Sequence, residues 1–155
     1  MNAGKPKYCF EDFHVGMVIE QPGPTLTRED VLEFARIYDP QPFHADEEAA
    51  KRSIYGGLIA SGWQTVSLCT RMMCDSYLLD STSLGSPGMK EVSWLKPVRP
   101  GDTLRLRMTV LETKPSTSKP DRGSVLHRWE VFNQAGEIVL RMEGIGMFGR
   151  RYGRR

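Results

Sequence analysis

Cysteine is scarce in this 155-residue chain. Cys9, Cys69 and Cys74 are an odd number without regular spacing, which excludes a disulfide framework. None forms a CxxC pair, so the spacing of a zinc site is missing as well. Reduced thiols in a cytoplasmic protein are the expectation. Long apolar runs are also missing, and no segment reaches the length of a membrane-crossing helix. Met1 to Lys7 is polar and lacks the apolar stretch of a secretory signal. Charge hardly favours either sign: 21 Lys and Arg stand against 19 Asp and Glu, for a net +2. That balance gives no case for binding nucleic acid or a membrane surface. There is no internal repeat and no low-complexity tract. Lys114 to Asp121, rich in Lys, Pro, Ser and Thr, is too short for an interdomain linker and reads as a surface loop.

What remains fits one domain over 1–155, with a core of about 11–148 and an Arg-rich tail at 149–155. Arg150, Arg151, Arg154 and Arg155 are expected to form a solvated, frayed end. Met17 to Thr27 reads as extended, interrupted by Gln21-Pro22-Gly23-Pro24. Thr27 is a suitable N-cap for a helix with Glu29 and Asp30 in its first turn. Val31, Phe34, Ala35 and Tyr38 follow a helical stripe and are expected to be buried. Asp39-Pro40 ends that helix. A short polar helix is expected from Asp46 to about Lys51, with Asp46 as its N-cap.

After Tyr55-Gly56-Gly57 the most apolar segment begins, and Leu58 to Leu79 is expected as one long buried helix. Four strands follow: Met89 to Leu95, Thr103 to Glu112, Gly123 to Phe132 and Glu137 to Phe148. A helix ahead of a run of antiparallel strands makes the fold class α+β, with the helix packed on one face of a curled sheet.

Two stretches could carry chemistry. Asp39 and His44 stand five residues apart in a proline-stiffened segment, Asp39-Pro40-Gln41-Pro42-Phe43-His44. A stiff loop can hold a carboxylate and an imidazole over one small volume, as general acid–base catalysis requires. The same residues also suit a helix-terminating turn and a packed loop. Farther along, Gly56-Gly57 and Gly62 surround the start of the apolar segment. Small residues there let a ligand approach helix-start N–H groups, which can stabilise a developing oxyanion. Equally, they allow tight packing of helix on sheet.

Together these residues resemble the MaoC-like dehydratases, a family that includes the R-specific enoyl-CoA hydratases. The resemblance rests on the Asp39-x-x-Pro42-x-His44 pattern, the glycine-containing helix start and the Arg99-Pro100-Gly101-Asp102-Thr103-Leu104 turn. It spans about residues 11–148, and the separations 44 − 39 = 5 and 62 − 39 = 23 match the family's spacing. It implies a hot-dog fold, with a long central helix wrapped by an antiparallel sheet, and a homodimer or dimer-based higher oligomer. The implied activity is that of a hydro-lyase of fatty acid metabolism, an enoyl-CoA hydratase or 3-hydroxyacyl-CoA dehydratase. Its substrate would be an acyl-CoA thioester, with no metal and no further cofactor. Asp39 and His44 would be catalytic. Gly62, Ser61, Trp63 and Thr70 would form the oxyanion and substrate-binding surroundings. Gln41, Tyr38, Ser61 and Trp63 depart from the family's usual asparagine, glycine, histidine and aliphatic residue, which bears on acyl specificity. Trp63 is either a wall of the acyl pocket or a core aromatic. His14 and His127 are expected in structural roles. The rival readings are a hot-dog acyl-CoA thioesterase and a non-catalytic acyl-thioester-binding subunit.

Overall fold

The computed structural model describes residues 4–152. Five strands, β1 (Val18–Thr25), β2 (Gly88–Trp94), β3 (Thr103–Pro115), β4 (Arg122–Phe132) and β5 (Ile138–Gly149), form one antiparallel sheet in the order β1-β3-β4-β5-β2. Alternation fixes the inner face. In β3, Leu104, Leu106, Met108 and Val110 are buried while Arg105 points outward. In β4, Val125, His127, Trp129 and Val131 do the same. The β4–β5 hairpin is closed by Asn133, whose Oδ1 accepts from the N–H groups of Ala135 and Glu137. Gly136 takes φ 76 there, a conformation that side chains disfavour.

The helices are α1 (Arg28–Tyr38), α2 (Pro42–Ala45), α3 (Glu47–Lys51) and α4 (Gly62–Met73). Thr27 caps α1 through a reciprocal box: its hydroxyl accepts from Asp30 N–H while the Asp30 carboxylate accepts from Thr27 N–H. Asp46 caps α3 by accepting from Glu48 and Ala49 N–H. α4 lies against the inner face of the sheet, with Cys69, Met72 and Met73 in the common core. This is the hot-dog arrangement, α+β in class. Burial pushes the Cys69 thiol up to about 12, so it packs as an apolar group.

Four expectations need correction or refinement. The central helix does not begin at Leu58. Leu58 to Ala60 is spent on tertiary backbone bonds, Ile59 N–H to the Phe43 carbonyl and Ala60 N–H to the Val98 carbonyl, and the helix starts only at Gly62. After Met73 it loosens into a π-helical turn, Cys74–Leu78. Gln21 to Pro24 stays within β1 but breaks its regular pairing: the register against β3 shifts between Pro22 and Thr25, and Gly23 presses onto Met72 and the Leu104 carbonyl, where a Cβ would stand 2.4 and 2.8 Å away. Tyr38 is 72% exposed, so the buried stripe of α1 stops at Ala35. The C-terminal arginines are not all free either. Arg150 pairs with Glu11 and Arg151 with Asp12, tying the tail to the N-terminal turn. Arg154 and Arg155 lie outside the described residues.

The Arg99 to Leu104 turn now has a mechanical role. Asp102 accepts from Arg99 N–H at 2.9 Å, and the Arg99 guanidinium donates to the Tyr55 carbonyl at 2.6 Å. With the Ala60–Val98 bond, it clamps the segment that leads into α4.

Candidate active site

Asp39 is the C-cap residue of α1. Pro40 behind it cannot extend the helix, and Pro42 opens α2 where no backbone N–H is needed. The chain therefore doubles back within five residues. His44, in α2, brings Nε2 to 3.3 Å from Asp39 Oδ2, with only 6% and 14% of the two side chains exposed. His44 Nδ1 lies 2.8 Å from the Ile59 carbonyl. A carbonyl only accepts, so Nδ1 carries the proton and Nε2 is left facing the carboxylate.

Asp39 is held on both oxygens. Oδ1 accepts from the Gln41 amide at 2.8 Å, and Oδ2 accepts from the Ser61 hydroxyl at 2.7 Å. Burial pushes the Asp39 pKa up, but the hydrogen bonds from Gln41 and Ser61 outweigh it, joined by the attraction of His44 when that ring is protonated. The carboxyl ends below its ordinary value and is ionised at neutral pH. Ser61 serves two elements at once. The same hydroxyl oxygen accepts from Trp63 N–H at 3.3 Å and so caps α4.

Gly62 is the first residue of α4, and its N–H has no acceptor within the helix. That N–H sits at the positive end of a twelve-residue helix. A Cβ at Gly62 would lie 2.4 Å from the Trp94 indole nitrogen, so the glycine allows Trp94 to cover bare backbone. Trp94 meets Trp63 edge to face at 5.1 Å. Asp39, His44, Gly62, Trp63, Thr65 and Trp94 border one cavity of about 410 Å³. The arrangement offers an acid–base pair on one side and an unsatisfied helix-start N–H on the other. It can hold a small polar molecule between them. Among the described residues no three His, Cys, Asp or Glu side chains group closely enough to hold a metal ion.

The sequence candidates divide here. Asp39, His44, Gly62 and Trp63 border this cavity, and Ser61 touches it through Asp39. Trp63 is 58% exposed, a wall and not a core residue. Thr70 does not border this cavity: two turns farther along α4, it donates to the Val66 carbonyl at 3.0 Å and borders a neighbouring cavity that Trp63 also lines. Trp94 reads in the sequence as a core or dimer-interface strand residue, and nothing near it or Thr65 marks a site. Gln41 departs from the family pattern in the sequence. That an amide two residues from a carboxylate can reach back to it was the available signal.

A family model described as MaoC like domain matches residues 12–127, three quarters of the chain. The chain belongs to the MaoC-like family. Among solved structures, this MaoC-like chain is similar to the MaoC-like dehydratase from Rhodospirillum rubrum. The two share 40% identity with a TM-score of 0.86, over 93% of this chain and 98% of that one. It is also similar to the R-hydratase PhaJ1 from Pseudomonas aeruginosa, at 25% identity and TM-score 0.72, over 92% and 86% of the two chains. The uncharacterized protein YdeM of Bacillus subtilis is 28% identical over 109 residues, 70% of this chain and 77% of that protein. The family match takes in Asp39, His44, Gly62 and Trp94 alike.

Proposed function

We propose that this MaoC-like chain is a hydro-lyase that adds water to a 2-enoyl-CoA thioester and removes it in the reverse direction. The observation that carries the reading is the Asp39–His44 pair, 3.3 Å apart at the edge of a cavity that α4 enters by its N-terminus. The kinship with a dehydratase and an R-hydratase supports it.

The chemistry follows from the geometry. Water is a poor nucleophile until a base takes its proton. Asp39 and His44 Nε2 together bind it, one O–H to each. The water oxygen bonds to the β-carbon while its proton passes to the pair. The electron pair of the double bond moves toward the thioester carbonyl, which becomes an enolate oxygen. Gly62 N–H stabilises that charge, and the helix dipole adds to it. The pair then delivers a proton to the α-carbon, so the product is a 3-hydroxyacyl thioester. Base and acid are roles of the coupled pair and not of one residue each. Water and thioester balance the reaction, and no oxidant or reductant enters. The working unit in this reading is a homodimer, because Tyr38 and Trp63 leave large apolar surface exposed beside Asp39.

Incubation with a 2-enoyl-CoA and with a saturated acyl-CoA tests the assignment. Enoyl absorbance should fall without release of free thiol. Thiol release from both substrates would make the protein a thioesterase. Binding without either reaction would make it an acyl-thioester-binding subunit.

A further inference from the structure

A second cavity, of about 260 Å³, lies between α4 and the sheet, and Trp63 borders both it and the Asp39–His44 cavity. Its walls are almost wholly apolar, with Val66, Met73, Val92 and Met142 among them. Two titratable residues interrupt them, Tyr77 and His127. His127, on the inner face of β4, is 1% exposed. Among the described residues neither of its ring nitrogens has a hydrogen-bond partner.

The ring is firmly held all the same. It stacks on Trp129 at 4.7 Å and 14°, and on Tyr77 at 5.9 Å and 23°. Those two neighbours satisfy each other, since the Trp129 N–H donates to the Tyr77 hydroxyl at 2.9 Å. They do nothing for the imidazole. Gly146 on β5 keeps the ring edge uncovered, because a Cβ there would lie 2.9 Å from Cε1 and 3.6 Å from Nδ1. Packing does not require a histidine at this place. The other inward residues of β4 are Val125, Trp129 and Val131, and an apolar side chain would avoid a buried polar group without a partner.

We propose that His127 is a specificity-determining residue that reads a neutral hydrogen-bonding group, a hydroxyl or carbonyl, on the distal part of a short acyl chain entering past Trp63. This rests on the hydro-lyase reading, whose substrate it narrows. A neutral imidazole has one donor and one acceptor, the complement of a hydroxyl. The Tyr77 hydroxyl, already an acceptor, still has its own proton to donate. Burial lowers the His127 pKa to about 4 against an opposing pull from the Gly144 and Val125 backbone, which lies near the ring without meeting hydrogen-bond geometry, so the ring is uncharged at neutral pH. A carboxylate would lose its water there without gaining a cation.

The test pairs wild type with His127→Phe, which keeps the stacking and removes both nitrogens. His127→Leu makes the same deletion in a smaller volume if the phenyl ring prevents folding. The substrates are straight-chain 2-enoyl-CoA esters of graded length, each with and without a terminal hydroxyl, plus a terminal-carboxylate set. Wild type should favour the hydroxylated ester at the best-fitting length by about tenfold in kcat/KM. In the variant that preference should fall to within about twofold, with the plain ester barely affected. Equal preferences in the two proteins, or a carboxylate preferred by wild type, would overturn the proposal. Saturated counterparts, titrated by tryptophan fluorescence, give the same comparison as Kd without any turnover. If no ester is hydrated yet binding shows the His127-dependent preference, the hydro-lyase reading fails and the His127 assignment stands. If neither turnover nor binding discriminates, the His127 assignment falls.

Discussion

His44 and His127 are 5% and 1% exposed, and they meet opposite surroundings. His44 has both nitrogens placed, one on the Ile59 carbonyl and one beside Asp39. His127 is gripped by aromatic faces and has neither nitrogen satisfied. The difference follows the architecture. Asp39, Gln41, His44, Ser61 and Gly62 all come from the ends of α1, α2 and α4, where chain termini of helices leave polar groups free. His127 comes from the middle of a central strand, where backbone groups are already paired and only apolar faces remain. Burial alone thus says little about a histidine. What its nitrogens meet decides whether it can move protons or only recognise a partner.

The comparison breaks first at Asp39. Asp39→Asn should lower kcat/KM for hydration about 10²- to 10⁴-fold and leave the unfolding temperature within a few degrees. An unchanged rate would strip the polar cavity of its chemical role. Gly62→Ala comes next. Its Cβ would overlap the Trp94 indole at 2.4 Å, so a stability loss of about 1–3 kcal/mol is expected with reduced turnover. Adding Trp94→Ala should restore part of the stability and little of the rate, and a double-mutant cycle in denaturant reads that coupling.

The third prediction sharpens the contrast through acid. His127 titrates near 6.5 when unfolded and at about 4 when folded. The unfolded chain therefore binds the extra proton first. Stability is unaffected above about 6.5 and drains away as pH falls toward 4, by up to about 3 kcal/mol. His127→Phe should remove that part of the acid sensitivity, measured as urea midpoints across the window. The smallest effect is at Ser61. Ser61→Ala takes one donor from Asp39 and the cap from α4, so about 1 kcal/mol of stability should go. The depressed Asp39 pKa should rise, moving the acid limb of the rate profile to higher pH.

Local signals were legible in the chain. Alternation in Leu104 to Val110 located β3, Thr27 and Asp46 announced their caps, and the Asp39–His44 spacing located the pair. What escaped was decided by contacts distant in sequence. Leu58 to Ala60 looks helical by composition, yet Phe43 and Val98 take its backbone groups. Trp94 reads as an ordinary strand residue until Gly62 is found beneath it. Family pattern alone sets Thr70 near the pair, whereas helix pitch turns it toward the second cavity. The lack of partners at His127 is a property of β4, β5 and the π-helical turn packed together and has no trace in its neighbours along the chain.

The most direct measurement is a crystal structure of the Asp39→Asn variant with a 2-enoyl-CoA bound. The account predicts the thioester oxygen within hydrogen-bond distance of Gly62 N–H and the β-carbon turned toward position 39 and His44. An acyl group bound away from the start of α4, or with its double bond facing neither residue, would contradict it.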